Sequence, residues 1–186
     1  TNPGTVALIH RNWFQIKNSD AVFAIVEGLN ADPDKILETN PNLSEAAMYF
    51  KKQGGGTGWA IQMALNTVDP SSIFPSEFGI GEKTREGYNE GDSKPVYVFV
   101  QDVKKWYKLQ TPFESDGPGE PMTKVFLAEL EELTETPTLT PSFAGIGTRS
   151  INEAGRQAIE DLYKKPVGQE VKAAPAAPEP TAPAAP

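Results

Sequence analysis

The apolar run AVFAIV at residues 21–26 limits the fold of this chain more than any other stretch. A polar turn, KNSD, precedes it, and a glutamate and a glycine follow it. A strand with one solvent-facing side alternates apolar and polar residues, whereas a continuous apolar run of this length is typical of a strand buried on both faces. Such strands occur in parallel sheets covered by helices. The run therefore predicts an α/β fold with a mainly parallel sheet.

A glycine loop and a helix are predicted after this strand, in GGGTGWAIQMAL at residues 54–65. Trp59 and Met63, like Ala60 and Ala64, are four residues apart, which is helical spacing. A second β-branched and aromatic run, PVYVFVQ at residues 95–101, predicts the next strand. The order strand, glycine loop, helix, strand is that of a βαβ unit. Its crossover places the loop at the carboxyl edge of parallel strands.

The same pattern returns near the end of the chain, in PSFAGIGTRSINEAGRQAIEDLYKK at residues 141–165. Residues 143–146 predict a short strand, the glycines predict a turn, and the apolar spacing predicts a helix from residue 151. Ser150, with Glu153 three residues later, has the spacing of a capping box, which predicts Ser150 as the N-cap.

Both glycine loops are candidate anion sites. A helix start carries N–H groups without intrahelical partners and a partial positive charge, and glycine allows close approach and a positive φ. Threonine hydroxyls can add donors, and an arginine can pair with phosphate oxygens. Each loop alone is better explained as a simple turn, but the presence of two together shifts the balance towards binding. The candidate ligand-binding residues are Gly54, Gly55, Gly56, Thr57, Gly58, Gln62, Gly145, Gly147, Thr148 and Arg149.

Lysines directly precede the first glycine loop, at positions 51 and 52. They either steer an anion towards the loop or simply solvate it. Between the predicted elements, residues 28–45 predict a surface insertion and residues 68–93 an irregular segment, while residues 46–50 are left unassigned. Residues 104–113 predict a short amphipathic extension, and residues 122–137 fit either a surface helix or strands interrupted by charge.

Composition excludes several classes of function. A formal net charge of −8 and a pI near 4.8 argue against general nucleic-acid binding, although one small anion held by backbone amides remains compatible. The absence of cysteine excludes thiolate chemistry, and His10 is the single histidine, so a multi-histidine metal site is excluded. No apolar run reaches the ~20 residues of a membrane span. No metal and no cofactor are implied.

The ends of the chain carry their own expectations. The start, TNPGTVAL, has no initiating methionine and no signal-peptide pattern, which predicts a processed start and a cytoplasmic protein. The end, AAPAAPEPTAPAAP, is almost entirely alanine and proline and cannot bury enough apolar surface to fold. We therefore expect one folded domain at residues 1–165 and a disordered tail at residues 166–186.

The stretches SDAVFAIVEG, GGGTGWAIQMA, KPVYVFVQ and FAGIGTRSINEAGRQAI together resemble the SLOG superfamily, roughly over residues 5–165. These Rossmann-like domains include the lysine-decarboxylase-like or Lonely-Guy-type phosphoribohydrolases, and the chain looks closest to uncharacterised bacteriophage members. The resemblance implies a three-layer Rossmann-like domain that binds a nucleotide or nucleotide-derived ligand through its phosphate, as a sensor or sequestering module. It also allows a homo-oligomer, in the cytoplasm of the host cell if the protein is phage-encoded.

One departure from the family concerns catalysis. In the phosphoribohydrolases a glutamate after the glycine loop serves in cleavage of the N-glycosidic bond, whereas this chain has Ala60, Ile61 and Gln62 there. The Gln62 amide can hydrogen-bond a ribose or base but cannot act as a base, so binding is favoured over hydrolysis. One alternative is a nucleotide N-glycosidase whose acid comes from an inserted loop, at Glu77, Glu82 or Glu86. Another is a phage structural or interaction protein that has lost the ligand.

A second departure concerns the order of the loops. Family members tend to place a GIGSR-like loop near the N-terminus, whereas GIGTR lies near the C-terminus here. Either a first βα unit has been trimmed and GIGTR is an additional element, or the domain is permuted. In the first case the nucleotide pocket is incomplete, and in the second the two loops can face one ligand.

Overall fold

The computed structural model describes residues 3–40, 45–52, 55–66, 94–110, 113–115, 122–125 and 128–167. Several sequence predictions concern residues outside these ranges. They are Gly54, the irregular segment at residues 68–93 with Glu77, Glu82 and Glu86, and the Ala/Pro tail from residue 168 onward.

Five helices and seven strands form within the described ranges. The helices are α1 (Pro3–Lys17), α2 (Pro33–Thr39), α3 (Glu45–Tyr49), α4 (Gly56–Asn66) and α5 (Glu153–Lys164). The strands are β1 (Ala21–Val26), β2 (Val96–Val100), β3 (Lys105–Gln110), β4 (Phe113–Ser115), β5 (Met122–Val125), β6 (Glu129–Glu132) and β7 (Phe143–Gly147). The bounds of β1 are those that its apolar run predicts.

The main sheet has five strands in the order β6-β3-β2-β1-β7, and β4 and β5 form a separate two-stranded sheet. β1 pairs in parallel with β2 on one side and with β7 on the other. β3 pairs antiparallel with β2 and with β6. The fold is therefore α/β, with a parallel core of three strands extended on one side by two antiparallel strands.

The antiparallel side of the sheet corrects one prediction. Residues 104–113, expected to form an amphipathic extension, instead contain β3, which returns beside β2 after a turn at residues 101–104. Lys104 closes this turn with φ of 54°, in the left-handed region. For residues 122–137, β5 and β6 show that the strand alternative holds and the surface-helix alternative does not.

Burial of β1 on both faces explains its uninterrupted apolar sequence. All six of its residues are buried, none more than 4% exposed. Val22, Ala24 and Val26 share one buried cluster with Ile16 of α1 and Ile61 of α4. Burying aliphatic side chains in this way stabilises the fold by about 1.5–3 kcal/mol each.

The alternate residues of β1 belong to a second cluster. Ala21, Phe23 and Ile25 are buried with Ala158 and Leu162 of α5. Because successive side chains of a strand point to opposite faces, α5 lies against the face of β1 opposite to α1 and α4. No described helix is long and apolar enough to cross a membrane.

Candidate functional site

The parallel strands bring their carboxyl ends to one side of the sheet, which we call the carboxyl edge. Val26 of β1 lies beside Val100 of β2, and Ile25 lies beside Gly147 of β7. The residues that follow these strands are Glu27, Gln101 and the turn at residues 148–150. They meet at the place where open parallel sheets commonly hold ligands.

The two glycine loops adjoin at this edge. The Thr57 hydroxyl, in the first turn of α4, donates a hydrogen bond to the Gly147 carbonyl oxygen at 3.2 Å. The two residues are 90 positions apart in the chain, so only the fold brings them together. The Thr57 hydroxyl thus links the two loops. Because its proton is used in this hydrogen bond, the hydroxyl can offer a ligand only its oxygen, as an acceptor.

The starts of α4 and α5 differ in how their N–H groups are capped. Gly55 precedes α4 and has no side chain that could accept from the first-turn N–H groups. In α5 the Asn152 side chain is the N-cap and accepts from the Gly155 N–H at 3.1 Å. The prediction that Ser150 caps this helix is therefore wrong. Of the two helix starts, the one at α4 is the better place for an anion.

The GIGTR turn is held by backbone contacts that leave its arginine exposed. The Thr148 N–H donates to the Ile25 carbonyl oxygen at 3.1 Å, and the Thr148 hydroxyl accepts from the Ser150 N–H at 3.3 Å. Arg149 is exposed, and no acidic side chain in the described ranges pairs with it. Within those ranges its guanidinium group is therefore a cation that no carboxylate neutralises.

Four glycines of these loops have ordinary backbone conformations. None of Gly55, Gly56, Gly145 and Gly147 has a positive φ, which differs from the sequence expectation. A Cβ on Gly55 or Gly145 would meet nothing within 4 Å, and one on Gly56 would meet only the Asn12 Nδ2 atom at 3.9 Å. These three positions leave open space for an approaching group, whereas a Cβ on Gly147 would come within 2.9 Å of the Ile151 Cδ1 atom.

Two further predicted ligand residues are buried. Gly58 lies in the first turn of α4, and Gln62 lies one turn later, only 6% exposed. The Gln62 amide is therefore not exposed at the carboxyl edge.

Glu27 is a site residue that the sequence predictions did not include. Its carboxylate lies 2.5 Å from the Lys52 ammonium group, and its side chain is 24% exposed. The hydrogen bond from Lys52 lowers the pKa of Glu27 below its usual value against the opposing effect of partial burial, and a hydrogen bond with the Ser150 side chain lowers it further. Glu27 is therefore ionised at neutral pH. The sequence signal that could have identified Glu27 was its position directly after a buried strand.

Both lysines that precede the glycines are in ion pairs. Lys51 Nζ lies 3.6 Å from an oxygen of Asp102, and Lys52 pairs with Glu27. Gly28 lies beside the Lys51 pair, and a Cβ there would come within 2.1 Å of an Asp102 oxygen. The lysines thus balance the acidic groups of the carboxyl edge in the free protein.

Gln101 is a second residue that the sequence predictions missed. It directly follows β2, is only 3% exposed, and joins that strand to the GIGTR turn. Its amide nitrogen donates to the Ser150 carbonyl oxygen at 3.2 Å, and its amide oxygen accepts from the Asn152 N–H at 2.7 Å. A Cβ on Gly155 would come within 2.5 Å of that oxygen, so a larger residue at this position of α5 would displace the Gln101 amide.

Lys52 has a left-handed backbone, with φ of 59°. We expect Lys52→Gly to melt about 2–4 °C above Lys52→Ala, because both lose the ion pair and only alanine keeps the steric cost of positive φ. Thermal unfolding followed by circular dichroism measures the difference. An alanine variant that melts at or above the glycine variant would show that residue 52 is not left-handed in solution.

Comparison of the chain with protein-family models, with curated proteins and with solved structures gave no match. The resemblance to the SLOG superfamily therefore stays a prediction from the sequence. Function has to be argued from the chemistry of the carboxyl edge.

Proposed function

We propose that this protein binds a nucleotide or nucleotide-derived ligand, with the phosphate held where the two glycine loops adjoin. The observation that carries the proposal is the hydrogen bond from Thr57 to the Gly147 carbonyl oxygen, which joins the GGGTG and GIGTR loops at the carboxyl edge. Two loops with anion-binding chemistry are thereby available to one ligand.

Charge and helix geometry support a phosphate at this position. The start of α4 offers N–H groups and the positive end of a helix dipole, with no side chain at Gly55 to cap them. The exposed Arg149 guanidinium can form two parallel hydrogen bonds to phosphate oxygens. Glu27 is neutralised by Lys52, which lessens its repulsion of an anion.

We further propose that the domain is a permuted, three-layer Rossmann-like member of the SLOG superfamily. The pairing of β7 with β1, and the helices on opposite faces of β1, support this arrangement. A trimmed domain with GIGTR as an unrelated addition would not require the two loops to adjoin. In the permuted arrangement the late GIGTR unit takes part in the same ligand site as GGGTG.

Binding or sensing accounts better than hydrolysis for the residues in α4. The helix GTGWAIQMALN contains no aspartate or glutamate, so the glycine loop leads into no carboxylate that could assist cleavage of an N-glycosidic bond. Glu77, Glu82 and Glu86, the predicted substitutes, lie outside the described residues. The composition of α4 therefore favours a ligand that is held and released unchanged.

A ligand screen tests this function. Thermal shift and isothermal titration with nucleoside monophosphates, nucleoside diphosphates and NAD derivatives, each paired with its phosphate-free nucleoside, should show stabilisation only by the phosphate-bearing compounds. Chromatography of the same mixtures should show no free base. Release of base would reassign the protein as an N-glycosidase. Equal responses to nucleosides and nucleotides, or none to either, would favour an interaction protein without this ligand.

Arg149→Ala should weaken binding of the stabilising nucleotide by about tenfold or more, because a charge-assisted pair with phosphate is lost. Arg156→Ala is the matched control. It removes the same charge from an arginine on α5 that pairs with Glu153 at 2.9 Å, so we expect it to change affinity less than about twofold. Isothermal titration compares the variants. Equal losses would mean that net charge, and not the Arg149 position, determines binding.

A further inference from the structure

The two outer strands of the main sheet, β6 and β7, differ in charge. β6 has the sequence ELEE, and its three glutamates oppose pairing with a further strand. β7 has the sequence FAGIG, without charge or proline. Among the described residues, no strand pairs with β7 on the side away from β1, which we call the open side of β7. An outer strand without such protection is suited to pairing with another strand.

The backbone groups on the open side can be assigned from the pairing of β7 with β1. The N–H of Thr148, directly after β7, donates to a carbonyl oxygen of β1. Because alternate residues of a strand direct their N–H and C=O groups to opposite sides, those of Phe143, Gly145 and Gly147 point to the open side. The Gly147 carbonyl oxygen accepts from Thr57. Phase and spacing therefore leave Phe143 and Gly145 to bond a further strand.

An exposed aromatic ring borders the open side on each face of the sheet. On one face Tyr163 of α5 is 66% exposed, and its ring centroid lies 6.3 Å from that of Phe143. On the other face α1 packs against α4 and β7, and its Phe14 is 64% exposed. Asn12 faces Gly56 of α4, and Phe14 lies about 200° further around the helix. Phe14 is therefore on the flank of α1 that faces away from α4.

We propose that the open side of β7 binds β7 of a second copy of this chain, in antiparallel pairing about a twofold axis. Twofold symmetry brings the same surface of each copy together, so every contact is made twice. Pairing Phe143 with Gly145 of the second copy, and the reverse, uses the outward N–H and C=O groups of both residues. This register leaves the Gly147 carbonyl oxygen bonded to Thr57.

The side chains of β7 complement each other in this register. Phe143 and Gly145 are two residues apart, so they belong to the same face of the sheet. A Cβ on Gly145 would meet nothing within 4 Å. An aromatic ring placed across from a strand glycine covers the backbone that the glycine leaves bare. Each copy thus offers a ring at Phe143 and the space for the other copy's ring at Gly145.

Charge and area favour a second copy as the occupant. Each chain carries a net charge of −8, so two copies can associate closely only through surfaces without charge. The residues of β7 and the two bordering rings meet this condition, whereas β6 does not. A stable dimer buries about 800 Å² on each partner. Five strand residues are too few for that, but Phe14 and Tyr163, with about 150–250 Å² each, extend the contact to both faces.

The test is the oligomeric state of the full chain, measured by sedimentation velocity and by size-exclusion chromatography with light scattering. We expect the wild-type protein to form a dimer, with twice the chain mass of 20.2 kDa, at micromolar concentrations. Gly145→Glu should weaken the dimer by more than about tenfold, because it places a carboxylate of each copy in the strand contact. The free space at this position allows the monomer to stay folded, which circular dichroism verifies.

Gln157→Glu is the matched control for the added charge. This exposed residue of α5 lies outside the proposed contact, and we expect its substitution to change the dimer affinity less than about twofold. Tyr163→Ser gives a second test that leaves the strand unaltered. Removal of the exposed ring should weaken the dimer by about tenfold and should not unfold the monomer.

Two results would overturn the proposal. A wild-type protein that stays monomeric at high micromolar concentrations would assign the open side to another segment of this chain or to a different protein. A dimer as stable in Gly145→Glu and Tyr163→Ser as in the wild type would place the contact elsewhere. Neither measurement involves a nucleotide, so the outcome is independent of the function proposed above.

Discussion

Replacing Gly56 by aspartate should weaken phosphate-dependent nucleotide binding by more than about tenfold. The substitution should not destabilise the free protein. Gly56 begins α4, and a Cβ there meets only the Asn12 Nδ2 atom at 3.9 Å, an ordinary contact. A carboxylate in the first turn interacts favourably with the helix dipole, by about 0.3–1 kcal/mol. It also places a negative charge where the phosphate is proposed to lie.

Gly56→Asn is the control for this prediction, since it has the same shape without the charge. We expect it to retain most of the affinity, within about threefold of wild type. Isothermal titration measures affinity, and thermal unfolding measures the stability of the free variants. If aspartate and asparagine weaken binding to the same extent, the effect is steric and the phosphate does not lie at the start of α4.

Replacing Gln101 by methionine should both destabilise the protein and weaken nucleotide binding. The amide of this buried residue joins β2 to the Ser150 carbonyl oxygen and the Asn152 N–H. Methionine fills a similar volume but leaves both backbone groups without these partners, at a cost of about 1–3 kcal/mol. That corresponds to a melting temperature lower by roughly 2–10 °C. Release of the GIGTR turn should also weaken nucleotide binding by about tenfold.

Gln157→Met is the matched control. This exposed glutamine of α5 bonds Asp161 at 2.9 Å, and its loss should cost less than about 0.5 kcal/mol. Chemical denaturation gives the free energy of unfolding, and titration at a temperature where every variant is folded gives the affinity. If Gln101→Met loses stability and keeps full affinity, Gln101 supports the fold alone and the position of Arg149 does not depend on it.

Much of the secondary structure follows from local sequence. Residues 21–26 and 96–100 are apolar or aromatic without alternation because both faces of β1 and β2 are covered, and that pattern predicts strands directly. The helices α4 and α5 have apolar residues at helical spacing. The charged segments at residues 104–113 and 122–137 were harder to interpret, because β3 is partly exposed and β6 lies at the end of the sheet, where charge is tolerated.

The residues of the candidate site also divide into those that the sequence predicts and those that it does not. The two glycine loops and Arg149 have recognisable motifs, so they could be proposed without a structure. Glu27 and Gln101 belong to no motif. Their roles depend on contacts with residues far along the chain, such as the bond between Gln101 and Ser150, 49 positions later. The only local signal was that each directly follows a buried strand.

The sequence by itself determined the α/β class, the strand at residues 21–26 and the presence of two glycine loops, each leading into a helix. Hydrophobic periodicity and turn residues act over a few neighbours, which is why these features can be read locally. Only the tertiary structure decided that β7 lies beside β1, that Thr57 reaches Gly147, and that Glu27 pairs with Lys52. The order of strands in a sheet is set by packing and pairing between distant segments, and no local pattern records it.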